Sequence, residues 1–500
     1  MCTTESPRLQ DGAPVATTVL GSLRGIFRDG ITAFHGVPYA VPPVGDLRFA
    51  PAVPVRSWNG PRDAACHGPI APQLPGRLAA VAGAGIPRKQ SEDCLTLTIC
   101  TPAPDTKARP VLVWLHGGAW MFGSGSSPHY DGARLALEGD LVVVGVNYRL
   151  GALGWLYRPG IVDVELATSD VITALAWVRD HIAGFGGDPS RVTLMGQSAG
   201  AMSTARLIML PEARGLFRRV IMQSAGLGRG YLTPAGATGI ADQFLGLLDI
   251  DPDSTNALAQ LRAVELSRLL KAQGEVTQAN VRFGETAPAF MGVLPSTLTQ
   301  PELIAALADG VGRDADFGGR DVLIGTVADE VHAHYGAHPL MQEASIEAVS
   351  IAAGGEAILA RYRARRPGAT PVQLLADFAT EAIYRRPTMR FADAVAAQGG
   401  NAYTYLFDWA PPSSRFGSCH NIELGFVFGT LEAWSEAPML AGGDPAQMAD
   451  LSAAMRRAWI AFVHRGSPEH DELPSWPRYD ATNRSTMRFG TRIGALGDLS

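Results

Sequence analysis

The chain has 500 residues, of which 46% are hydrophobic and 18% charged, and its formal net charge at pH 7 is -6. This composition allows a large buried core, and the absence of a Lys/Arg block argues against nucleic acid or an anionic membrane as a partner. The sequence contains no run of about 18 apolar residues, which would predict a membrane span, and no basic and apolar leader, which would predict secretion. We therefore expect a soluble, cytoplasmic protein.

The first half of the chain contains four short apolar runs that predict strands, at residues 110–118, 141–149, 191–196 and 218–224. Their apolar residues are continuous, which is typical of strands buried on both faces. Between the second and third runs, apolar residues recur at the spacing of one helix face: Val171, Ala174, Leu175, Val178 and Ile182. This spacing predicts an amphipathic helix with Asp170 as its N-cap.

The second half continues the alternation of strands and helices. Residues 226–319 are mainly helical in pattern, and we interpret them as an insertion over the sheet. Further strands are predicted at 321–327 and 402–409, and a helix near 452–464, where Met455, Trp459 and Phe462 share one face. This order indicates an α/β fold with a mostly parallel sheet, and we expect a single domain over residues 1–500.

One motif, Gly196-x-Ser198-x-Gly200, lies between a predicted strand and a helix-forming run. A turn this sharp requires glycine on both sides, because larger side chains would collide there. It would present the Ser198 hydroxyl at the carboxyl end of the sheet, where ligands bind in open α/β folds. We therefore predict that Ser198 is a nucleophile.

A serine nucleophile needs a base and a carboxylate that orients the base. The apolar run at 321–327 leads to Asp329 and Glu330, and the residues alone leave open which of them supplies the carboxylate. Six histidines follow Ser198, and we favour His420, which lies in a loop after a predicted strand. The pattern does not exclude the other five histidines as the base.

Donors for an oxyanion hole are predicted at three backbone N–H groups. Gly117 and Gly118 end a predicted strand, and without side chains their N–H groups can approach a substrate oxygen closely. Ala199, directly after the nucleophile, supplies the third donor.

Several longer segments resemble the type B carboxylesterase family, the α/β-hydrolases that include cholinesterases and bacterial para-nitrobenzyl esterases. They are FHGVPYAVPPVGDLRF (34–49), SEDCLTL (91–97), LHGGAW (115–120), VNYRLG (146–151), FGGDPSRVTLMGQSAG (185–200), MQSAG (222–226), HNIELGFVFG (420–429) and PSWPRYD (474–480). The resemblance implies an α/β-hydrolase fold with helical insertions over the active site.

The resemblance also implies the site and its reaction. It implies a triad of Ser198, Glu330 and His420, and it selects Glu330 over Asp329 as the acid. The implied activity is hydrolysis of small carboxylic esters with short or medium acyl groups, without cofactor or metal. The oxyanion donors that it implies are Gly117, Gly118 and Ala199.

Further positions match structural features of the family. Ser224 matches a serine that hydrogen-bonds near the acid and the histidine, and Arg48 and Glu92 match an ion pair. Cys66 and Cys94 match a disulfide, which a reducing compartment would keep as two thiols.

The substrate pocket is less clearly marked. We expect it to be lined by aromatic residues, which are equally consistent with plain core: Trp120, Phe290, Phe416 and Phe428. The chain departs from the family in having Val331 after the acid, where glycine is usual. The segment 66–94 also lacks the tryptophan that would hold a quaternary ammonium, which argues against choline esters.

Other functions compatible with the sequence are an amide or carbamate hydrolase with the same triad, and a non-catalytic scaffold like the neuroligins. A metal hydrolase using His332, His334 and His338 lacks an accompanying carboxylate pattern. A cysteine nucleophile at Cys419, next to His420, is disfavoured because adjacent side chains usually point apart.

Overall fold

A computed structural model describes residues 12–497 except 77–78, 84, 86, 286, 295–297, 299–301, 313–318 and 337. The strands are β1 (Val15–Thr18), β2 (Gly21–Arg24), β3 (Ile26–Arg28), β4 (Ile31–Pro38), β5 (Pro61–Asp63), β6 (Thr96–Thr101), β7 (Arg109–Leu115), β8 (Val142–Val146), β9 (Gly187–Gln197), β10 (Arg219–Gln223), β11 (Asp321–Val327), β12 (Asn401–Phe407), β13 (Thr486–Phe489) and β14 (Gly494–Leu496).

The helices surround these strands. They are α1 (Ala79–Ala82), α2 (Ala133–Gly139), α3 (Gly151–Trp155), α4 (Leu166–His181), α5 (Ala199–Met209), α6 (Pro234–Leu247), α7 (Ala257–Ala263), α8 (Leu266–Ala279), α9 (Leu303–Gly312), α10 (His332–Gly336), α11 (Pro339–Gln342), α12 (Ile346–Ala353), α13 (Glu356–Arg365), α14 (Pro371–Ala379), α15 (Arg386–Ala397), α16 (Leu424–Phe428) and α17 (Pro445–Arg465). Within the described ranges, none of them combines the length and the apolarity that crossing a membrane requires.

The main sheet has the strand order β14-β13-β12-β11-β10-β9-β7-β8-β6-β4-β3. From β13 to β8 all neighbours are parallel, whereas β14, β6, β4 and β3 pair antiparallel at the two edges. The six predicted strands are β7 to β12, and they form the parallel centre. The edge strands escaped prediction because their residues are not continuously apolar, as they are in a strand buried on both faces.

Alternate residues of β7 point to opposite faces of the sheet and join two different apolar clusters. Val111 and Val113 pack in the cluster that includes α4 and α5, whereas Leu112 and Trp114 pack in the cluster that includes α17. The predicted face of α17, with Met455, Trp459 and Phe462, is buried in the second cluster. The core therefore consists of two apolar layers, one on each side of the sheet.

The region 226–319 is mainly helical where the structure describes it, as predicted, and α6 to α8 contribute buried residues to the first cluster. A second helical region, α10 to α15, was not predicted. Helices α10 to α14 have an apolar cluster of their own, in which Val331 and Tyr335 are buried, whereas α15 packs in the first cluster.

The predicted N-cap of α4 is wrong. The helix begins at Leu166 after Glu165, so Asp170 lies more than one turn inside it. Asp170 is fully buried and pairs with the guanidinium of Arg149 at 2.6 Å, and it also accepts the backbone N–H of Arg149 at 3.0 Å. Because Arg149 follows β8, this pair ties α4 to the sheet.

We expect Asp170→Asn to lower the free energy of unfolding by about 3–5 kcal/mol, because Arg149 would remain charged and buried without its counter-ion. Denaturant unfolding followed by tryptophan fluorescence measures this change. The control is Asp253→Asn, which removes an exposed partner of Arg158 and should have little effect. Equal losses in the two variants would contradict the prediction.

Candidate active site

Four neighbouring parallel strands, β9 to β12, end at the same edge of the sheet. Ser198 directly follows β9, Glu330 comes shortly after β11, and His420 lies in the longer loop after β12. A parallel bridge between Asp329 and Cys419 holds the last two loops side by side. Residues far apart in the sequence therefore meet at one place.

The turn at Ser198 has the geometry that the glycine pattern predicts. Ser198 adopts φ 54° and ψ −120°, and its backbone N–H donates to the carbonyl of Gln223 at 2.9 Å. A Cβ at Gly196 would collide with the carbonyl of Gly200, and a Cβ at Gly200 would collide with the carbonyl of Leu115. Both glycines are therefore required for the strand to turn into α5 here.

The carboxylate that contacts the imidazole is that of Glu330. Its Oε2 lies 2.5 Å from Nδ1 of His420, and its Oε1 accepts the backbone N–H of Val327 at 3.0 Å. Glu330 is fully buried and His420 nearly so. The contact favours the tautomer that carries hydrogen on Nδ1, which leaves Nε2 as an acceptor.

The partner of Nε2 is a residue that sequence reasoning missed. The side-chain amide of Gln197 lies 3.1 Å from Nε2 of His420 and donates to it in this tautomer. Among the described contacts, none is a hydrogen bond between Ser198 Oγ and the imidazole, although both residues line one cavity. Gln197 occupies the variable position of the motif, so its type carried no signal.

The predicted oxyanion donors surround Ser198. A Cβ at Gly117 would come within 3.2 Å of the Ser198 Cβ and collide with Gln197, so the backbone of Gly117 is close to Ser198. Gly118 has φ 111°, and a Cβ there would collide with the carbonyl of Phe122. Gly118 and Ala199 line the cavity beside Ser198.

The cavity wall differs in part from the predicted pocket. Trp120 lines it, and its Nε1 donates to Ser203 Oγ at 2.9 Å. Residues that were not predicted complete much of the wall: Phe122, Met202, Arg229, Pro288, His334, Tyr384 and Asn421. Phe122, Met202 and His334 lie within four positions of predicted residues, whereas Arg229 and Tyr384 do not.

Three predicted pocket residues are not among the described residues that line this cavity, contrary to prediction, and two of them lie in the core. Phe290 packs on Phe244 with ring centroids 5.5 Å apart, and Phe428 packs on Trp114 at 4.9 Å. Phe416 packs against the apolar cluster on the α17 side of the sheet. Large apolar side chains are more often buried for packing than for substrate binding.

The polar contacts next to Ser224 differ from the predicted ones. Ser224 is buried after β10, and its Oγ has no hydrogen-bond partner within the described part of the chain, contrary to prediction. Instead, Gln223 donates to Glu423 at 2.9 Å. Burial without a cation raises the pKa of Glu423 to about 8, so this carboxyl is largely neutral at pH 7.

The predicted disulfide between Cys66 and Cys94 is wrong, because Cys94 is a free thiol. Its side chain is fully buried in the apolar cluster on the α4 side of the sheet, and burial raises the pKa of the thiol. The ion pair of Arg48 and Glu92 is confirmed, with an N–O distance of 2.5 Å.

The three histidines of the alternative metal site do not converge. Nε2 of His332 lies 2.9 Å from a carboxylate oxygen of Asp377 and 2.9 Å from the guanidinium of Arg366. The positive charge of Arg366 therefore already lies beside this histidine and its carboxylate. His334 lines the cavity, with its ring 5.6 Å from that of His420, and His338 precedes α11.

The thiol of Cys419 also lies apart from the cavity. It is fully buried, and its sulfur lies 3.9 Å from that of Met439. Burial raises the pKa of this thiol to about 12, which disfavours the thiolate that a cysteine nucleophile needs.

The chain is similar to known enzymes over nearly its whole length. The family model described as the carboxylesterase family matches residues 12–496. The chain is 36% identical to phenmedipham hydrolase of Pseudarthrobacter oxydans over 485 residues, which cover 95% of each chain. It is 34% identical to para-nitrobenzyl esterase of Bacillus subtilis over 495 residues, 97% of this chain and 96% of that one.

A solved structure of a PNB esterase superposes with a TM-score of 0.83 and 31% identity, and the match covers 98% of both chains. Such structures have the α/β-hydrolase fold, which confirms the predicted fold class.

Proposed function

We propose that this chain, which belongs to the carboxylesterase family and is a carboxylic ester hydrolase, cleaves short- and medium-chain aryl or alkyl esters. The reaction proceeds through an acyl-enzyme on Ser198. His420 is the base and Glu330 orients it. The observation that carries this assignment is the buried 2.5 Å contact between Glu330 and an imidazole that lines the same cavity as Ser198.

In the first step, Nε2 of His420 takes the proton of Ser198 while Oγ attacks the ester carbonyl. Nε2 must first exchange its contact with Gln197 for one with Ser198 Oγ. Catalytic hydrogen bonds often tighten only when the substrate is bound. The negative charge of Glu330 stabilises the imidazolium that forms.

The carbonyl oxygen becomes negative in the tetrahedral intermediate. The N–H groups of Gly117, Gly118 and Ala199 are proposed to bind it, and one such donor contributes about 3 kcal/mol to the transition state. His420 then gives its proton to the leaving alcohol, and the acyl group stays on Ser198. A water molecule, deprotonated by His420, hydrolyses the acyl-enzyme and restores Ser198.

The test is a series of 4-nitrophenyl esters from acetate to dodecanoate, with a 4-nitrophenyl carbamate and a choline ester included. We expect turnover of the short and medium esters in the presence of a strong chelator, and poor turnover of the choline ester. A fluorophosphonate probe should label the peptide that contains Ser198. Labelling elsewhere, or no hydrolysis of any aryl ester, would refute the proposal.

A further inference from the structure

We propose that Arg229 makes this site selective for esters that carry a carboxylate group in addition to the bond that is cleaved. This inference names a substrate class for the same cavity, and it therefore rests on the proposed function.

Arg229 is held on the cavity wall by its backbone. It lies in a turn after β10, where its N–H donates to the carbonyl of Gly226 and the neighbouring Gly228 N–H donates to Ile383, both at 2.9 Å. The residue is half-buried and lines the cavity together with Ser198 and His420. Arg229 thus lies at the wall of the cavity in which the ester bond would lie.

Tyr384 shares the cavity wall with Arg229. It is buried, its ring lies 5.5 Å from that of His420, and the positive charge of Arg229 acts electrostatically on its hydroxyl. Arg229 and Glu285 both act electrostatically on Tyr335, so one carboxylate lies in the wider surroundings of Arg229. A guanidinium has five N–H donors, so it can keep a contact within the protein and still bind a substrate carboxylate.

The charges of the wall favour an anion. Among the described residues that line this cavity, Arg229 is the permanently charged one, and none is Asp or Glu. The carboxylate of Glu330 is hydrogen-bonded to His420 and is not among the groups that line the cavity. Because Arg229 is half-buried, its guanidinium attracts a carboxylate more strongly than it would at a fully exposed position, and it repels a cationic group such as choline.

The competing explanation is that Arg229 does not bind substrate but positions Tyr384 and, through it, His420. The two roles differ in what they predict for a charged and a neutral substrate. A positioning role changes the turnover of both by the same factor, whereas carboxylate binding changes only the preference between them.

The experiment compares two esters of equal acyl length, mono-4-nitrophenyl glutarate and 4-nitrophenyl valerate. A second pair, 4-acetoxybenzoate and 4-acetoxytoluene, places the charge on the alcohol part. In Arg229→Met, we expect the charged-to-neutral ratio of kcat/KM to fall about 10- to 100-fold in at least one pair, mainly through KM. Arg229→Lys should retain part of the preference, because it keeps the charge but loses the planar fork.

The control is Arg28→Met, which removes the same charge from an exposed position and should leave the ratio unchanged. A ratio that does not move in Arg229→Met, in either pair, overturns this inference, while hydrolysis of valerate by the wild type would still support the proposed function. Failure of the wild type to hydrolyse any of the four esters would overturn both.

Discussion

Ser198→Ala should lower kcat for a 4-nitrophenyl ester by about 10⁴- to 10⁶-fold while the fold stays intact. Without the hydroxyl, no acyl-enzyme forms, and only the oxyanion donors and substrate binding still assist attack by water. Steady-state kinetics and circular dichroism on the same preparation measure the two parts of this expectation.

Ser224→Ala is the matched control. Ser224 follows the strand next to that of Ser198 and is buried, but its Oγ forms no hydrogen bond to the residues that the structure describes. We expect kcat to change by less than about 10-fold. A near-normal rate in Ser198→Ala would mean that another group is the nucleophile.

Glu330→Gln should lower kcat by about 10³- to 10⁴-fold, and Asp329→Asn should lower it much less. Glutamine keeps the shape of Glu330, but its NH₂ group can donate to Nδ1, which favours the tautomer with hydrogen on Nε2. That tautomer cannot accept the proton of Ser198.

Asp329 has a different task, because its Oδ2 accepts the backbone N–H of Ser418 at 2.9 Å and so joins the two loops. Its loss should appear mainly in the thermal midpoint of unfolding. Kinetics and thermal unfolding of both variants separate the two roles. If Asp329→Asn has the larger effect on kcat, the acid has been assigned to the wrong residue of the pair.

The parallel centre of the sheet was predictable because β7 to β12 are continuously apolar, and the turn at Ser198 because only glycine fits on both sides of it. The choice of Glu330 over Asp329 was not predictable from the pattern, since two adjacent carboxylates lie at almost the same place in the chain and the direction of each side chain is not visible in the sequence. That choice came from the resemblance, and the 2.5 Å contact with His420 now supports it.

The contacts around the proposed catalytic residues could not be predicted from the sequence for a similar reason. Arg229 and Tyr384 reach the cavity through the folding of other segments, and no local pattern marks them. Gln197 lies inside the motif, but at its variable position, so its contact with His420 carried no signal either. Asp170 was misplaced because the apolar spacing used for the prediction starts at Val171, whereas the helix starts at Leu166. Burial of Phe290 was equally compatible with a pocket and with the core, and spacing cannot separate these two environments.

The backbone conformation of Ser198 lowers the stability of the folded chain. A residue other than glycine with φ 54° and ψ −120° is in a sparsely populated conformation, and holding it there opposes folding by about 1–3 kcal/mol. Glycine at this position would relieve that penalty and remove the reactive oxygen in the same change. Selection for heat resistance alone would therefore drive this enzyme toward an inert protein, and any thermostable descendant that still turns over substrate must gain its robustness away from this turn.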